Sequence, residues 1–563
     1  MRKLAAIAAA ASMLTAGLGA AGLGTAAPAA ASSAGPAAAR PAAGQATRPT
    51  GTASIHWGKC SDPYLSEAKA QCGFLSVPLS YRHPAGPHIK IAVSRIRHTA
   101  PASHYQGVIL TNPGGPGGSG LDLNVFLIDA LKAEHLGAAA ADYDWIGFDP
   151  RGVGSSLPAL SCEPDYFSGD RERYQPTTSA ILRYWKTRSA GYAKACGTPA
   201  QKALLQNMTT VDSAMDMNSI RKALGQSQIT YYGFSYGTYL GQVYATLFPH
   251  RVRRLILDSN VDPRNVWYQA NLNQDIAFNR NIEIWFGWLA KYHKVYRLGT
   301  TEKQVQRRFY AEQARLARHP IRTARGTAEI GPDEWIDIFL EAGYYQETWL
   351  QLGQAFSDWA NGHGAKAGRA LIALYQETDT PGNDNEFAVY LAVQCTDVQW
   401  PTSWARWSRD NRRINRIAPF ETWANAWFNA PCLYWPAKAS TPVKVGSHGS
   451  GGEISSALLI DETLDAATPF EGSLEVRKLF PHSVLLAEPG GTTHADSLDG
   501  DLCVDRTIAR YLESGTLPKR DNHARWDKTC KPLARPVPRS SGPDAGASGP
   551  VRSRLGGLVL PAA

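Results

Sequence analysis

The chain has 563 residues, 44% of them hydrophobic and 19% charged, which is enough to build a large core and too apolar for a disordered protein. Its net charge of +9 would suggest an anionic partner. Residues 1–60, however, hold five basic and no acidic side chains, and residues 518–563 hold nine basic against three acidic, so the body between them is about two charges negative. The basic excess sits at the ends, and the body carries no nucleic-acid footprint.

Met1-Arg2-Lys3, an Ala/Leu/Gly run to Ala21 and Ala29-Ala30-Ala31 before Ser32 follow the order of a secretory signal peptide, assigned to residues 1–31. Residues 32–54, dominated by Ala, Pro, Gly, Ser and Thr, are expected to be a disordered leader or pro-segment. No later run reaches the length of a membrane span, so the chain is read as secreted and extracellular. In an oxidising compartment its eight cysteines are expected as disulfides. Many pairings are open. The sequential one, Cys60 with Cys72, Cys162 with Cys196, Cys395 with Cys432 and Cys503 with Cys530, is preferred because each pair brackets one local segment and crosses no other. No Cys-x-x-Cys pair or His–Cys cluster has zinc spacing, and no metal site is assigned.

Residues 73–93 read as two antiparallel strands around a Pro-Ala-Gly turn, and Gly107–Thr111 as a buried strand running into Asn112-Pro-Gly-Gly-Pro-Gly-Gly-Ser-Gly120. Tyr143–Phe148 is the next strand, ending at Asp149-Pro-Arg-Gly-Val-Gly154, where Arg151 is expected to tie the turn. A polar segment, 160–200, precedes a helix over Val211–Leu224. Ile229–Tyr232 is a strand that feeds Gly233-Phe-Ser-Tyr-Gly237, after which Leu240, Val243, Tyr244 and Leu247 recur at helical spacing. Strand, sharp turn and helix around Gly-x-Ser-x-Gly is the arrangement that lifts a serine hydroxyl clear of the backbone and points helix N–H groups at a developing negative charge. Leu255–Leu257 follows. From 265 to 441 the chain turns to long amphipathic segments rich in Trp and Tyr, a mainly helical insertion, before strands resume at Ser456–Ile460 and Ser483–Leu486. Strands alternating with helices predict a parallel sheet. The fold class is therefore α/β, an α/β-hydrolase core (55–264 and 442–531) with a helical cap (265–441) after the sixth core strand and a disordered tail over 532–563.

A nucleophilic serine needs a base and an acid to orient it, and in this fold they follow in the order Ser, Asp or Glu, His. Ser235 is the nucleophile, Asp465 the acid and His494 the base. The 29 residues between the last two are one helix and one strand, which returns both loops to the same sheet edge as Ser235. Asp461 and Asp258 are rival acids. The oxyanion hole is assigned to the backbone N–H of Tyr236 and to Gly115 or Gly114. Gly115-Pro-Gly-Gly-Ser-Gly120 also satisfies the dinucleotide pattern, with Asp142 or Asp144 at the expected distance, but Pro116 spoils the helix start such a site needs.

Asn112–Gly120, Phe148–Gly154, Gly233–Gly241, Asp465–Gly472 and Gly491-Thr-Thr-His494, together with Trp267–Asp275, Gln394–Pro401 and Thr422–Trp427, resemble the secreted tripeptidyl aminopeptidases of Streptomyces, in the prolyl aminopeptidase group of serine peptidases. The resemblance covers about 55–530. It implies hydrolysis near the free N-terminus of peptides or proteins, without metal or cofactor. One position departs from it: a Glu is expected before the cap cysteine, and this chain has Gln394. Glu386, Asp397, Glu341 and Glu347 are then the candidates for the substrate's ammonium group. A secreted esterase or lipase using the same triad is the alternative reading. The basic tail would allow loose association with an anionic cell wall.

Overall fold

The computed structural model describes residues 54–168, 171–322, 328–378 and 383–538. The signal peptide and nearly all of the leader lie outside the described residues, as does most of the predicted tail.

Ten strands form one sheet: β1 (Gly58–Lys59), β2 (Gln71–Pro78), β3 (His88–Ile96), β4 (Val108–Asn112), β5 (Asp144–Phe148), β6 (Ile229–Phe234), β7 (Val252–Asp258) and, beyond a two-stranded ribbon of β8 (Ile321–Arg322) and β9 (Ala328–Ile330), β10 (Ala457–Glu462), β11 (Ser483–Glu488) and β12 (Lys528–Thr529). Their order across the sheet is β1-β2-β3-β5-β4-β6-β7-β10-β11-β12. The β1–β3 edge is antiparallel and everything from β5 to β12 is parallel. Every residue of β4, β5, β6, β10 and β11 is buried, as expected of parallel strands with helices on both faces. Successive residues serve opposite faces. Leu110, Tyr231, Leu257 and Leu459 pack with the helices Thr210–Ala223 and Tyr236–Leu247, while Ile109, Tyr232, Ile256 and Leu458 pack with Leu123–Ala133 and Leu502–Ser514.

The helical cap follows β7, the sixth strand once the two-residue β1 is set aside. Its first part, from Tyr268–Lys291 to Ala365–Thr378, has its own aromatic core of Trp285, Phe309, Trp335, Phe339 and Phe356, joined by Ala466 and Ala467 from the loop after β10. Its second part, Asn383–Asp397 and Thr422–Asn429, packs into the same core as the sheet, so cap and core form one compact unit.

Two predicted boundaries move. The polar segment 160–200 contains the helix Ser179–Cys196, whose Trp185 stacks on Trp427 at 5.8 Å, and buried Arg171 just before it reaches Asp337 at 2.7 Å. This stretch packs against the cap. Its charge hid the burial of Tyr166, Tyr174, Trp185 and Tyr192. Residues 532–538, predicted to open a disordered tail, lie against the cap: the Trp288 indole N–H donates to Pro536 O at 2.9 Å and the Gln346 amide to Leu533 O at 3.1 Å. The four sequential cysteine pairs are each bonded, with Cα–Cα separations from 4.5 to 5.7 Å. Among the described residues no helix is long and apolar enough to cross a membrane.

Candidate active site

Ser235 stands between β6 and the helix Tyr236–Leu247 at φ 54° and ψ −126°, a conformation that side chains rarely adopt and that aims the hydroxyl away from both elements. The turn closes only because its neighbours are small. A Cβ at Gly237 would lie 2.7 Å from Asn112 O, and one at Gly114, where φ is +108°, 2.6 Å from Phe234 O and 2.9 Å from Ser235 Cβ. The loop after β4 is thereby pressed against the serine turn, next to the Tyr236 amide at the start of the helix. Asp149 holds that loop from the other side, accepting from Ser119 Oγ at 2.6 Å, Gly120 N at 3.1 Å and Ser155 N at 2.7 Å. These bonds occupy the stretch that matched the dinucleotide pattern, and the next helix starts only at Leu123. Arg151 ties the adjoining turn: buried, it pairs with Asp216 through Nε at 2.8 Å and Nη2 at 2.7 Å and donates to Leu79 O and Asn207 O.

Asp465 and His494 come together from the loops after β10 and β11. His494 Nδ1 lies 2.7 Å from Asp465 Oδ2, and both are buried. Asp465 also accepts from the backbone N–H groups of Ala467 at 2.8 Å and Thr468 at 3.1 Å and from the Thr468 hydroxyl at 2.9 Å. Burial alone would raise the Asp465 carboxyl, but the imidazole and these donors outweigh it and hold its pKa below the ordinary value. An ionised carboxylate only accepts, so Nδ1 carries the proton and Nε2 keeps its lone pair. The cap fixes both loops. Asn281 of the helix Tyr268–Lys291 donates to Leu464 O at 2.9 Å and Thr492 O at 3.3 Å, and the His494 N–H donates to Tyr344 O at 2.9 Å.

The rival acids are engaged elsewhere. Asp461 takes the Ser473 hydroxyl at 2.5 Å. Asp258 accepts the Ser497 N–H at 2.9 Å and the Ser497 hydroxyl. Sequence reasoning gave Asp258 no part beyond that of a rival; its place beside Ser235 follows from strand order, which the chain order alone does not state.

A cavity of about 490 Å³ opens over Ser235, Tyr236 and Gly115 and is lined from the cap by Trp267, Tyr344 and Gln394. A recess of about 580 Å³ between Trp288 and Arg535 holds none of these groups. Of the acids named for the ammonium group, Asp397 does not line the cavity: its carboxylate is committed to Thr210 N at 2.7 Å, Thr210 Oγ1 at 2.6 Å and the Trp267 indole at 3.1 Å. Glu386 also lies outside the lining, but its Oε1 is buried with no hydrogen-bond partner, and its backbone abuts Gly117 of the loop after β4. Burial pushes the Glu386 carboxyl up to about 8. Glu341, whose Oε1 is likewise unpartnered, is pushed to about 8 by burial and the nearby Glu347.

A parallel sheet whose carboxyl edge carries a strained serine turn and a buried Asp–His pair defines an α/β-hydrolase. Residues 107–316 match the family model described as alpha/beta hydrolase fold, and residues 418–524 the one described as TAP-like protein. The chain is 38% identical over 494 residues to the tripeptidyl aminopeptidase of Streptomyces lividans, covering 86% of this chain and 88% of that one. It is 30% identical to serine protease Hip1 of Mycobacterium tuberculosis (82% and 89% covered) and 29% identical to carboxylesterase B of the same species (82% and 88%). The chain belongs to the tripeptidyl aminopeptidase family of α/β-hydrolase enzymes.

Proposed function

We propose that this protein is a secreted serine exopeptidase that cleaves tripeptides from the free N-termini of peptides and proteins. The Asp465–His494 pair on the sheet edge that carries the Ser235 turn is the observation that carries the reading. Ser235 Oγ attacks the scissile carbonyl while His494 Nε2 takes its proton and then delivers it to the leaving amine; Asp465 keeps the imidazole in the required tautomer and stabilises the imidazolium. The Tyr236 and Gly115 amides hold the oxyanion, and Gly114 sets their spacing. Water then clears the acyl-enzyme. Export is supported by the signal-like N-terminus and by four disulfides, which persist in oxidising surroundings. Glu386, whose buried Oε1 has no hydrogen-bond partner and whose backbone abuts the loop after β4, is the partner proposed for the substrate's ammonium group.

An esterase reading is favoured by one feature, the neutral Gln394 among aromatic groups in the cavity. Three chromogenic substrates separate the two: a free-amine tripeptide anilide, its N-acetylated twin and a short acyl ester. Rapid cleavage of the free tripeptide alone, lost in Ser235→Ala, is expected. Cleavage of the ester with both anilides untouched would replace the peptidase reading with the esterase one.

A further inference from the structure

Behind the Asp465–His494 pair, Glu462, Glu488 and Asp496 bring carboxylate oxygens within 4.8 Å of one another, and all three residues are buried. The fold places them there. Glu462 ends β10 and Glu488 ends β11, and the parallel register sets the two side by side; Asp496 comes from the loop two residues past His494. Like charges facing each other across neighbouring strands are destabilising, and a buried charge with no counter-charge more so. Yet among the described residues no ion pair includes any of the three.

Donors are missing as well. The Thr493 N–H reaches Glu462 Oε2, but Glu462 Oε1, both oxygens of Glu488 and both oxygens of Asp496 are buried with no hydrogen-bond partner. Asp501 Oδ2 is unpartnered too. The contrast with other acids of this edge is direct, since Asp465 holds four donors and Asp258 three on equally buried carboxylates. Three buried carboxylates that offer one oxygen each within 4.8 Å of one another, with no N–H or hydroxyl donor on either Glu488 or Asp496, are what a hard cation needs and what a structural carboxylate avoids.

We propose that Glu462, Glu488 and Asp496 bind a divalent cation, Ca²⁺, that clasps the Asp465 loop to the His494 loop. Calcium–oxygen distances of about 2.3–2.6 Å let ligand oxygens stand up to roughly 5 Å apart, which the 4.8 Å spread satisfies. An all-carboxylate set without His or Cys favours Ca²⁺ or Mg²⁺ over transition metals, and irregular ligands from three separate segments suit the more flexible Ca²⁺ shell. The clasp acts on the site through the backbone: the Asp465 N–H donates to Glu462 O at 3.1 Å, and Asp496 follows His494 by two residues. Its spread over 35 residues is why no metal spacing shows in the sequence.

The test is calcium binding to the purified full chain after EDTA treatment and dialysis, read by isothermal titration and by thermal melting in Ca²⁺, Mg²⁺ or neither. One Ca²⁺ per chain, a higher melting temperature with Ca²⁺, and at least tenfold weaker binding in Glu488→Gln and in Asp496→Asn are expected. Wild-type protein that neither binds Ca²⁺ nor melts higher in it would overturn the proposal and leave three carboxyls sharing protons. Binding that survives both substitutions would overturn it by placing the ion elsewhere. If the variants do not fold, an anomalous-scattering peak in wild-type crystals soaked in Tb³⁺ decides, and a peak away from the three carboxylates counts against the site.

Discussion

Asp258 joins Ser235 to the loop that carries His494. Its carbonyl oxygen accepts the Ser235 N–H at 3.0 Å, and its carboxylate accepts the Ser497 N–H at 2.9 Å and the Ser497 hydroxyl. A single residue at the end of β7 thus sets the distance between two groups on β6 and β11. Asp258→Ala removes the side-chain half of this link and leaves the buried Ser497 N–H without a partner, while the Ser497 hydroxyl keeps Tyr232, which costs about 1–3 kcal/mol in stability. A tenfold or larger drop in kcat is expected at temperatures where the variant is folded, with KM little changed, because the defect lies in the geometry of the reacting groups. An unchanged kcat in a variant that melts earlier would reduce Asp258 to a packing residue.

Asp465→Asn preserves shape but gives His494 Nδ1 an amide that can present its N–H, which favours the wrong tautomer. A loss of about 10⁴ in kcat is expected, the magnitude of the equivalent change in other serine triads. The His494 imidazole and the Thr468 donors hold the Asp465 pKa below its ordinary value, so the wild-type pH–rate profile should show no inflection from this carboxyl above about pH 4. Steady-state kinetics from pH 4 to 9 on both proteins checks this, and a variant keeping a tenth of wild-type kcat would remove Asp465 from the triad.

The serine turn and the order of the strands around it were legible because they depend on local rules: small residues flanking Ser235, β-prone runs, and one helix plus one strand between Asp465 and His494. The predicted strand Ile229–Tyr232 is Ile229–Phe234 in the structure, and Ser456–Ile460 is Ala457–Glu462. Features made by distant segments were not legible. Asp397 looked free for a substrate amine because Thr210 and Trp267, its donors, lie 187 and 130 residues away. The helix Ser179–Cys196 read only as part of a polar segment because its buried face is completed by Trp427. Residues 532–538 have the composition of a tail, and only the indole of Trp288 and the amide of Gln346 give their carbonyls somewhere to go.

Glu386→Gln tests the ammonium partner. The substitution keeps the volume and removes the group that an ammonium would draw into its ionised form, so KM for a free-amine tripeptide anilide should rise about tenfold or more while hydrolysis of an uncharged ester changes little. The split between substrates is the informative reading, since a general folding defect would lower both. Equal losses on the two substrates would move the search to Glu341.

The Cys395–Cys432 bond joins the end of the helix Asn383–Asp397 to the turn after Thr422–Asn429 across 37 residues. Closing a loop of that length restricts the unfolded chain by about 4 kcal/mol in the chain-entropy account. The double variant Cys395→Ala/Cys432→Ala should melt several degrees earlier, and because Gln394 lines the cavity beside it, KM should rise with the loss. Thermal melts with kinetics below the transition measure both, and an unchanged KM would show that Gln394 is held by its helix alone.

Stability should be greater in mild acid than at neutral pH. Burial raises Asp149 to about 6 despite the donors from Ser119, Ser155 and Gly120, and burial raises Asp397 to about 6 against those from Thr210 and Trp267. Between the unfolded value of about 3.9 and the folded value near 6 the native state binds more protons than the unfolded one, so unfolding free energy falls as pH rises. Each group stabilises fully below its unfolded pKa and loses that contribution as pH passes 6, a change on the order of 3 kcal/mol apiece. Asp465, with its pKa lowered, works in the opposite sense, adding stability above its unfolded pKa and losing it only as pH falls through the folded one. The melting temperature should therefore be higher at pH 5 than at pH 7.5, and Asp149→Asn should narrow the difference because a neutral side chain has no charge to bury. Scanning calorimetry across this range settles the sign, and a melting temperature that climbs steadily from pH 5 to 7.5 would mean that Asp149 and Asp397 are ionised in the folded protein at little cost.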